Sequence, residues 1–270
     1  DSNTASAQAA LDKESPGRAY HALWWKHYSL LQLGRYQEAG RTLKQVDDLE
    51  AHAPSPSARR HSAYMRASQI IETRDWDSGL LEDFDASDLR VKAQAAVLFV
   101  RGMQMVHKGF AEQSIQLVRK IKRLPKPEER RASDEQAVRI MARQLEAFLS
   151  FRLDQKRQAL HLANQAIRLQ TQRVAEFGPP IPVKPAFEML GDILFALGQP
   201  AEAQAAYAES LRTNPGRSLS LMGMASASEA AGNRHSLAKA VRALQKNWSD
   251  GDAELPRLPK IPPEDVVTGQ

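Results

Sequence analysis

The chain has 270 residues, of which 42% are hydrophobic and 6% aromatic, which is enough apolar material for a sizeable core and excludes a disordered chain. It contains no cysteine, which excludes disulfides, thiolate nucleophiles and zinc sites that need sulfur. The net charge of +5 mildly favours acidic partners, and no run of about 18 apolar residues is present that would predict a membrane span.

Helix-favouring residues dominate the composition, so we expect an all-α fold. Residues 1–15 lack the basic start and apolar core of a signal peptide. They resemble instead the second helix of a helical pair whose first helix is missing. An apolar edge at Ala5, Ala9, Ala10 and Leu11 would then need a second copy of the chain, as in a homo-oligomer, or a missing N-terminal half to cover it.

Four helical hairpins are predicted in the first two thirds of the chain. The first, near residues 18–50, has Gly34 at its turn, and the second, near 57–84, has Trp76 just after its turn and a second helix cut short by "DFDASD". The third lies near 91–122 with Gly102 and Gly109 seven residues apart. The fourth lies near 134–170 and has alanines at the sites where helices cross.

The fifth hairpin, near 185–213, has the clearest pattern. Apolar residues from Phe187 to Leu197 form one helical stripe, Gly198 ends that helix, and Pro200 begins the next one, which "NPG" ends. A sixth hairpin, near 217–247, has Gly232 exactly 34 positions after Gly198. One such hairpin cannot bury its own apolar face, so neighbouring hairpins must stack on each other.

The turns are expected at Gly34, Arg74, Gly109, Asp154, Gly198 and Gly232. Their unequal spacing places insertions at residues 123–134 and 171–185, and the four prolines of the second insertion predict an extended strap. We therefore predict a right-handed α-solenoid of about six hairpins over residues 1–256. A proline-rich tail over 257–270 should fray from Pro256 onwards.

The fifth hairpin resembles a tetratricopeptide repeat (TPR). Counted from Lys184 as position 1, that repeat of about 34 residues has large residues at 4 and 24, leucine at 7, small residues at 8, 20 and 27, and proline at 32. This segment supplies Phe187, Tyr207, Leu190, Gly191, Ala203, Ser210 and Pro215.

Longer stretches resemble the C-terminal half of a group of bacterial TPR proteins that has no settled biochemical activity. The stretches are "HALWWKHYSLLQLGRYQEA", "IETRDW", "PAFEMLGDILFALGQPAEAQAAYAESLRTNPGRSLSLMGMASASEAAG" and "LQKNWSDGDAELPRL". This resemblance implies a longer bacterial protein, with an export signal and a histidine-bearing repeat region before the first residue of this chain. It leaves the compartment open between cytoplasm and periplasm.

The TPR resemblance also implies a groove lined by the first helix of each hairpin, where a protein or peptide would bind. By position, the groove residues are Trp24, Tyr28, Phe99, Met103, Gln144, Phe148, Glu188, Asp192 and Phe195. The alternative is that the aromatic residues pack between repeats. Because Glu188 and Asp192 stand where some TPR proteins clamp a carboxylate with lysine and asparagine, a basic or neutral ligand fits that end better.

Catalytic and metal-binding patterns are scarce. The sequence has no nucleophile elbow, no H-E-x-x-H and no phosphate-binding glycine loop, and its seven histidines are scattered. His21 and His27 are six positions apart and point away from each other on a helix. The acidic stretch that contains Asp83, Asp85 and Asp88 is typical of a turn with a helix cap. We therefore predict a protein without catalytic residues, metal or cofactor.

The basic segment 119–131 ("RKIKRLPKPEERR") could contact phosphates, but it has no interleaved aromatic residue to stack on bases. A solvated helix end and loop is the simpler interpretation. Three functions stay open: a non-catalytic scaffold that binds a protein or peptide in its groove, the structural half of a longer protein with its enzymatic or metal-dependent activity upstream, and a polyanion or nucleic-acid binder.

Overall fold

In this computed structural model the described residues are 16–52, 54–126, 132–174 and 178–260, together with the single positions 2, 5 and 9. Within these ranges the chain forms eleven α-helices and one short 3-10 helix, with no β-strand. The helices are α1 (Pro16–Gln32), α2 (Tyr36–His52), α3 (Pro56–Thr73), α4 (Val91–His107), α5 (Ala111–Lys122), α6 (Ala132–Arg152), α7 (Lys156–Thr171), α8 (Ala186–Ala196), α9 (Pro200–Thr213), α10 (Ser218–Ala230) and α11 (Arg234–Asn247).

All six predicted turn residues adopt the left-handed backbone conformation. A tight turn after a helix needs a residue with positive φ, which glycine adopts without steric cost. Four of the six turns use glycine, whereas Arg74 (φ 57°) and Asp154 (φ 58°) adopt this conformation with a side chain. The regular recurrence of this turn divides the chain into helical hairpins.

The first helices of successive hairpins pack against each other in one continuous row. Contacts run in the order α1, α3, α4, α6, α8 and α10, and each second helix packs on its own first helix and on the first helix that follows. This is the stacking that buries the apolar face of each hairpin. The prediction of an all-α, TPR-like α-solenoid is confirmed.

The second hairpin differs from the others because α3 is followed by a 3-10 helix (Gly79–Leu81) in place of a second α-helix. Side chains of α4 bind the carbonyl groups of this irregular segment. Gln104 Nε2 donates to the carbonyls of Trp76 (3.1 Å) and Ser78 (2.8 Å), and Arg101 Nε donates to the carbonyl of Leu81 (2.9 Å). The segment is thereby fixed against α4, which places Trp76 beside the end of that helix.

The insertion between α7 and α8 is described at residues 171–174 and 178–185, and the segment after Gly178 is packed into the body of the protein. Ile181 and Val183 are buried, and the carbonyl of Lys184 accepts a hydrogen bond from Gln144 Nε2 at 2.7 Å. Gly178 lies against the indole of Trp24. The segment therefore joins α6 to the first hairpin.

The two ends of the helix row are in contact. The backbone N–H of Ser218 donates to Gln32 Oε1 at 2.9 Å, and Ser218 Oγ donates to the carbonyl of Gln32 at 2.6 Å. The last residues of α1 therefore bind the first residue of α10.

The structure differs from the prediction for the C-terminal tail and describes only part of the N-terminal segment. We predicted that the tail would fray from Pro256, but Leu258 is partly buried against the hydrophobic core, which holds the segment up to Lys260 on the body. At the other end, Ala5 and Ala9 are helical and exposed. The rest of the apolar edge predicted for residues 1–15 lies outside the described residues, as do tail residues 261–270.

Candidate functional site

A cavity of about 650 Å³ opens among the first helices of five hairpins (α3, α4, α6, α8 and α10) and the tail. We call it the aromatic cavity. Its lining residues are Ile71, Arg74, Trp76, Met103, His107, Phe148, Lys184, Asp192, Phe195, Tyr207, Met222, Gly223, Ser226, Glu229, Arg257, Leu258 and Pro259.

Three aromatic rings in contact form one wall of the aromatic cavity. The rings of Trp76 and His107 are nearly parallel with centroids 4.0 Å apart, and Phe148 lies 4.9 Å beyond His107. Burial, followed by the like charges of Arg152, Lys184 and Arg74, lowers the pKa of His107 to about 4. At neutral pH the imidazole is therefore uncharged, so this wall presents uncharged aromatic rings to the cavity.

Several lining residues lie at the same distance along the chain from the turn of their own hairpin. Four of them precede the left-handed turn residue of their own hairpin by six positions: Met103, Phe148, Asp192 and Ser226, before Gly109, Asp154, Gly198 and Gly232. Because each of these helices ends two residues before its turn residue, residues six positions before the turn point to the same side in each hairpin. Stacking of the hairpins brings these equivalent positions together at one cavity.

Paired charges form part of the cavity lining. Lys184 Nζ is 2.9 Å from Glu188 Oε1 and 2.8 Å from Asp192 Oδ2, and Tyr207 donates its hydroxyl to Asp192 Oδ1 at 2.7 Å. Because Lys184 and Glu188 are one turn apart on the chain, the start of α8 holds the pair in position. The carboxylate of Asp192 is thus neutralised where it reaches the cavity.

A second cation, Arg217, joins three helices. Its Nε lies 2.6 Å from Glu188 Oε2, and its Nη1 lies 2.6 Å from Glu72 Oε1 near the end of α3. Ser220 Oγ also donates to Glu188 Oε2 at 2.6 Å. The ion pairs therefore link α3, α8 and the first residues of α10 in the interior of the protein.

Burial and neighbouring charges shift the pKa values of the carboxyl groups in this cluster in opposite directions. Burial alone would raise the pKa of Glu188, but the charges of Arg217 and Lys184, with hydrogen bonds from Arg217 and Ser220, hold that pKa well below its usual range. Burial raises the pKa of Glu72 in spite of Arg217. The pKa of Lys184 is raised because Asp192 and Glu188 outweigh the effect of its burial.

The residues predicted to line a groove fall into three sets. Met103, Phe148, Asp192 and Phe195 line the aromatic cavity, and Phe195 is 37% exposed. Phe99, Gln144 and Glu188 lie deeper and have no exposed surface for a ligand. Trp24 and Tyr28 lie outside the cavity lining.

In the first hairpin, Trp24 is buried and stacks on Tyr64 with centroids 5.4 Å apart. Tyr28 Oη lies 3.4 Å from Arg217 Nη1. The expectation of a basic or neutral ligand relied on free carboxylates at Glu188 and Asp192. Both are instead paired inside the protein, so they give little reason to prefer a cationic ligand.

Sequence reasoning missed several residues of the cavity wall and of the charge cluster. Trp76, His107 and Lys184 were not among the predicted groove residues, nor was Arg217 among the predicted charged contacts. The six-residue register before each turn would have selected Ser226. For Trp76 and Arg217 the sequence carries no comparable signal, because both act through contacts with helices distant along the chain.

Three further features that bear on function are metal-binding clusters, membrane-spanning helices and free charges in the basic segment. In the described ranges, no group of three or more histidine and carboxylate side chains could hold a metal ion, and no helix combines the length and apolar character needed to cross a membrane. Of the basic segment 119–131, residues 119–126 are described. There Lys122 Nζ pairs with Glu146 Oε1 at 2.9 Å.

Comparison with known proteins finds one family. Residues 185–217 match the model of the family described as "Tetratricopeptide repeat". These residues contain α8 and α9, together with Glu188, Asp192, Phe195 and Tyr207 of the site. A comparison with curated proteins finds no match to the chain. The chain therefore contains one segment, residues 185–217, that matches a tetratricopeptide repeat, and its helical hairpins stack as a TPR-like α-solenoid throughout the described ranges. Helical-repeat scaffolds of this kind are typical of protein interaction.

Proposed function

We propose that this protein is a non-catalytic TPR scaffold that binds an extended protein or peptide segment in the aromatic cavity. The observation that carries this proposal is that the wall of Trp76, His107 and Phe148 and the exposed ring of Phe195 line the same cavity. Aromatic anchor sites of this kind contribute much of the binding energy at protein interfaces.

The chemistry of the cavity favours an apolar anchor with neutral neighbours. Met103, Met222 and Phe148 supply apolar surface, and methionine adapts its shape to different ligands. Lys184 is engaged by Glu188 and Asp192, so its charge is compensated within the protein. A volume of about 650 Å³ accommodates a few side chains of a peptide and lies in the usual range of ligand pockets.

The test is selection of peptides from a random displayed library on the native chain, followed by fluorescence anisotropy with the selected peptides. Phe195→Ala removes an exposed ring of the cavity, and Phe110→Ala removes a ring that is 50% exposed outside the cavity lining. We expect Phe195→Ala to weaken binding at least about tenfold, which corresponds to roughly 1.4 kcal/mol. Phe110→Ala should bind within about twofold of the native chain.

Two results would contradict the proposal. One is a library selection that yields no peptide above background on the folded native chain. The other is a set of selected peptides that binds Phe195→Ala as tightly as it binds the native chain. Circular dichroism of both variants must first show native helix content.

A further inference from the structure

The segment Gly251–Lys260, which we call the tail segment, turns back from α11 across the beginning of the chain. The backbone N–H of Asp252 donates to the carbonyl of Gly34 at 3.0 Å, and Asp252 Oδ2 accepts from the backbone N–H of Gln37 at 2.9 Å. These bonds fix the start of the tail segment on the turn between α1 and α2.

Two leucines hold the rest of the tail segment on the body. Leu255 occupies the space beside Gly34, where a Cβ atom would lie only 2.7 Å from Leu255 Cδ1. Leu258 packs against the core and, with Arg257 and Pro259, lines the aromatic cavity. The chain thus places one of its own leucines at the site proposed for a partner.

The sequence of the tail segment suits an extended ligand. Residues 255–260 read "LPRLPK" and have no regular secondary structure. Proline after each leucine favours the polyproline II conformation, which repeats about every three residues. Leu255 and Leu258 are three positions apart, so both can face the protein while Arg257 stays exposed.

We propose that the tail segment is an intramolecular ligand of the aromatic cavity. The partner is an extended segment of the same kind, with a leucine followed by proline as its anchor, and it displaces the tail segment when it binds. This inference rests on the proposed function and adds the chemical class of the partner and a competing ligand within the chain. The partner's leucine would take the place of Leu258 and stack against the apolar lining.

An attached ligand has a large advantage over a free one. A short flexible connection gives an effective concentration on the order of millimolar, so a free peptide must compete against it. The native chain should therefore bind such a peptide weakly. Removal of the leucine anchors from the tail should reveal a higher affinity while the helical lining of the cavity stays unchanged.

The experiment uses a fluorescein-labelled synthetic peptide with the sequence of residues 251–260 and the full chain in three forms. These are the native chain, the double variant Leu255→Ser/Leu258→Ser, and the matched control Glu254→Ser, which changes an exposed residue of the same segment. We expect the double variant to bind the peptide at least about tenfold more tightly than the native chain. The control should equal the native chain, and a peptide with both leucines changed to serine should not bind.

A second measurement covers the case in which the double variant does not fold. Millimolar unlabelled peptide is added to the native chain, and hydrogen exchange of the Asp252 amide, which bonds to Gly34, is followed. Displacement of the tail should accelerate this exchange several-fold. The proposal is overturned if the folded double variant gains no affinity, or if exchange at Asp252 stays unchanged with millimolar peptide.

Failure of this inference can be separated from failure of the proposed function. If library peptides bind and require Phe195, but the tail peptide neither binds the double variant nor displaces the native tail, the cavity binds a ligand of another chemistry. If no peptide of either source binds, the proposed function fails as well.

Discussion

Arg217 Nε lies 2.6 Å from Glu188 Oε2, and neither side chain has more than 1% of its surface exposed. Arg217 immediately precedes α10 and Glu188 lies in the first turn of α8, so this pair connects two neighbouring hairpins. Through Glu72 the same guanidinium also reaches α3. A single cation thereby joins helices that are far apart along the chain.

Loss of the Arg217 cation should strongly destabilise the folded protein. Arg217→Met leaves Glu188 and Glu72 buried with reduced compensation, and we expect the free energy of unfolding to fall by about 3–5 kcal/mol. The matched control is Arg212→Met, because Arg212 pairs with Glu209 at 2.9 Å but is 66% exposed, and the expected loss is about 0–1 kcal/mol. Urea unfolding followed by circular dichroism measures both. Similar losses for the two variants would show that the buried pair has no special role.

Substitution by alanine should have opposite effects on stability at two helical glycines, because only one of them lies against a neighbouring helix. A Cβ atom on Gly102 would lie 2.9 Å from Leu145 Cδ1, and Leu145 is fully buried, so Gly102→Ala should destabilise the protein by about 1–3 kcal/mol. A Cβ atom on Gly40 in α2 meets nothing within 4 Å. Gly40→Ala should therefore stabilise the protein by about 0.5–1 kcal/mol. Thermal unfolding distinguishes the two signs, and equal shifts would contradict the close approach of α4 and α6.

The left-handed turn at Asp154 predicts a stabilising substitution. Asp154 has φ 58° and an exposed side chain whose ion pair with Lys156, at 3.6 Å, contributes little. Asp154→Gly removes the steric cost of this conformation, and we expect a gain of about 0.5–1 kcal/mol. The reverse change, Gly198→Asp at φ 74°, should cost about 1 kcal/mol. Calorimetry measures both, and a loss of stability in Asp154→Gly would disprove the account.

The buried histidine of α1 predicts a pH dependence of stability. Burial lowers the pKa of His27 from 6.5 to about 4, although the hydrogen bond with Gln69 acts to raise it. Between these two pH values the unfolded chain binds a proton that the folded chain does not. The free energy of unfolding should therefore decrease as the pH falls from 6.5 towards 4.

The slope of stability against pH is set by the number of protons that the unfolded chain binds in excess of the folded chain, and His27→Gln should reduce that number by up to one. The free energy of unfolding of the variant should therefore fall less steeply between pH 6.5 and 4 than that of the native chain. Urea unfolding at several pH values measures the slope. His235→Gln, which makes the same substitution at an exposed position of α11, serves as the matched control variant. An identical slope in His27→Gln and the native chain would contradict the prediction.

Part of the site could be predicted from local sequence, since four of the nine predicted groove residues line the cavity. The spacing of apolar residues and turn residues predicted the first helix of each hairpin, and the groove positions of that helix included Phe148, Asp192 and Phe195. The same reasoning also included Phe99 and Gln144, which are buried. Position within a repeat predicts which side of a helix faces its neighbours, but it does not predict whether another segment covers that side.

The sequence by itself determined the all-α class, the turn positions and the repeat at residues 185–217, because these depend on the 3.6-residue helical period and on residues that favour a turn. Tertiary structure decided which groove positions stay open. The contact of Gln32 with Ser218, the ion pairs of Arg217 with Glu72 and Glu188, and the packing of Leu258 all join residues far apart in sequence. Such contacts form only when the stacked hairpins bring distant segments together, so no local pattern encodes them.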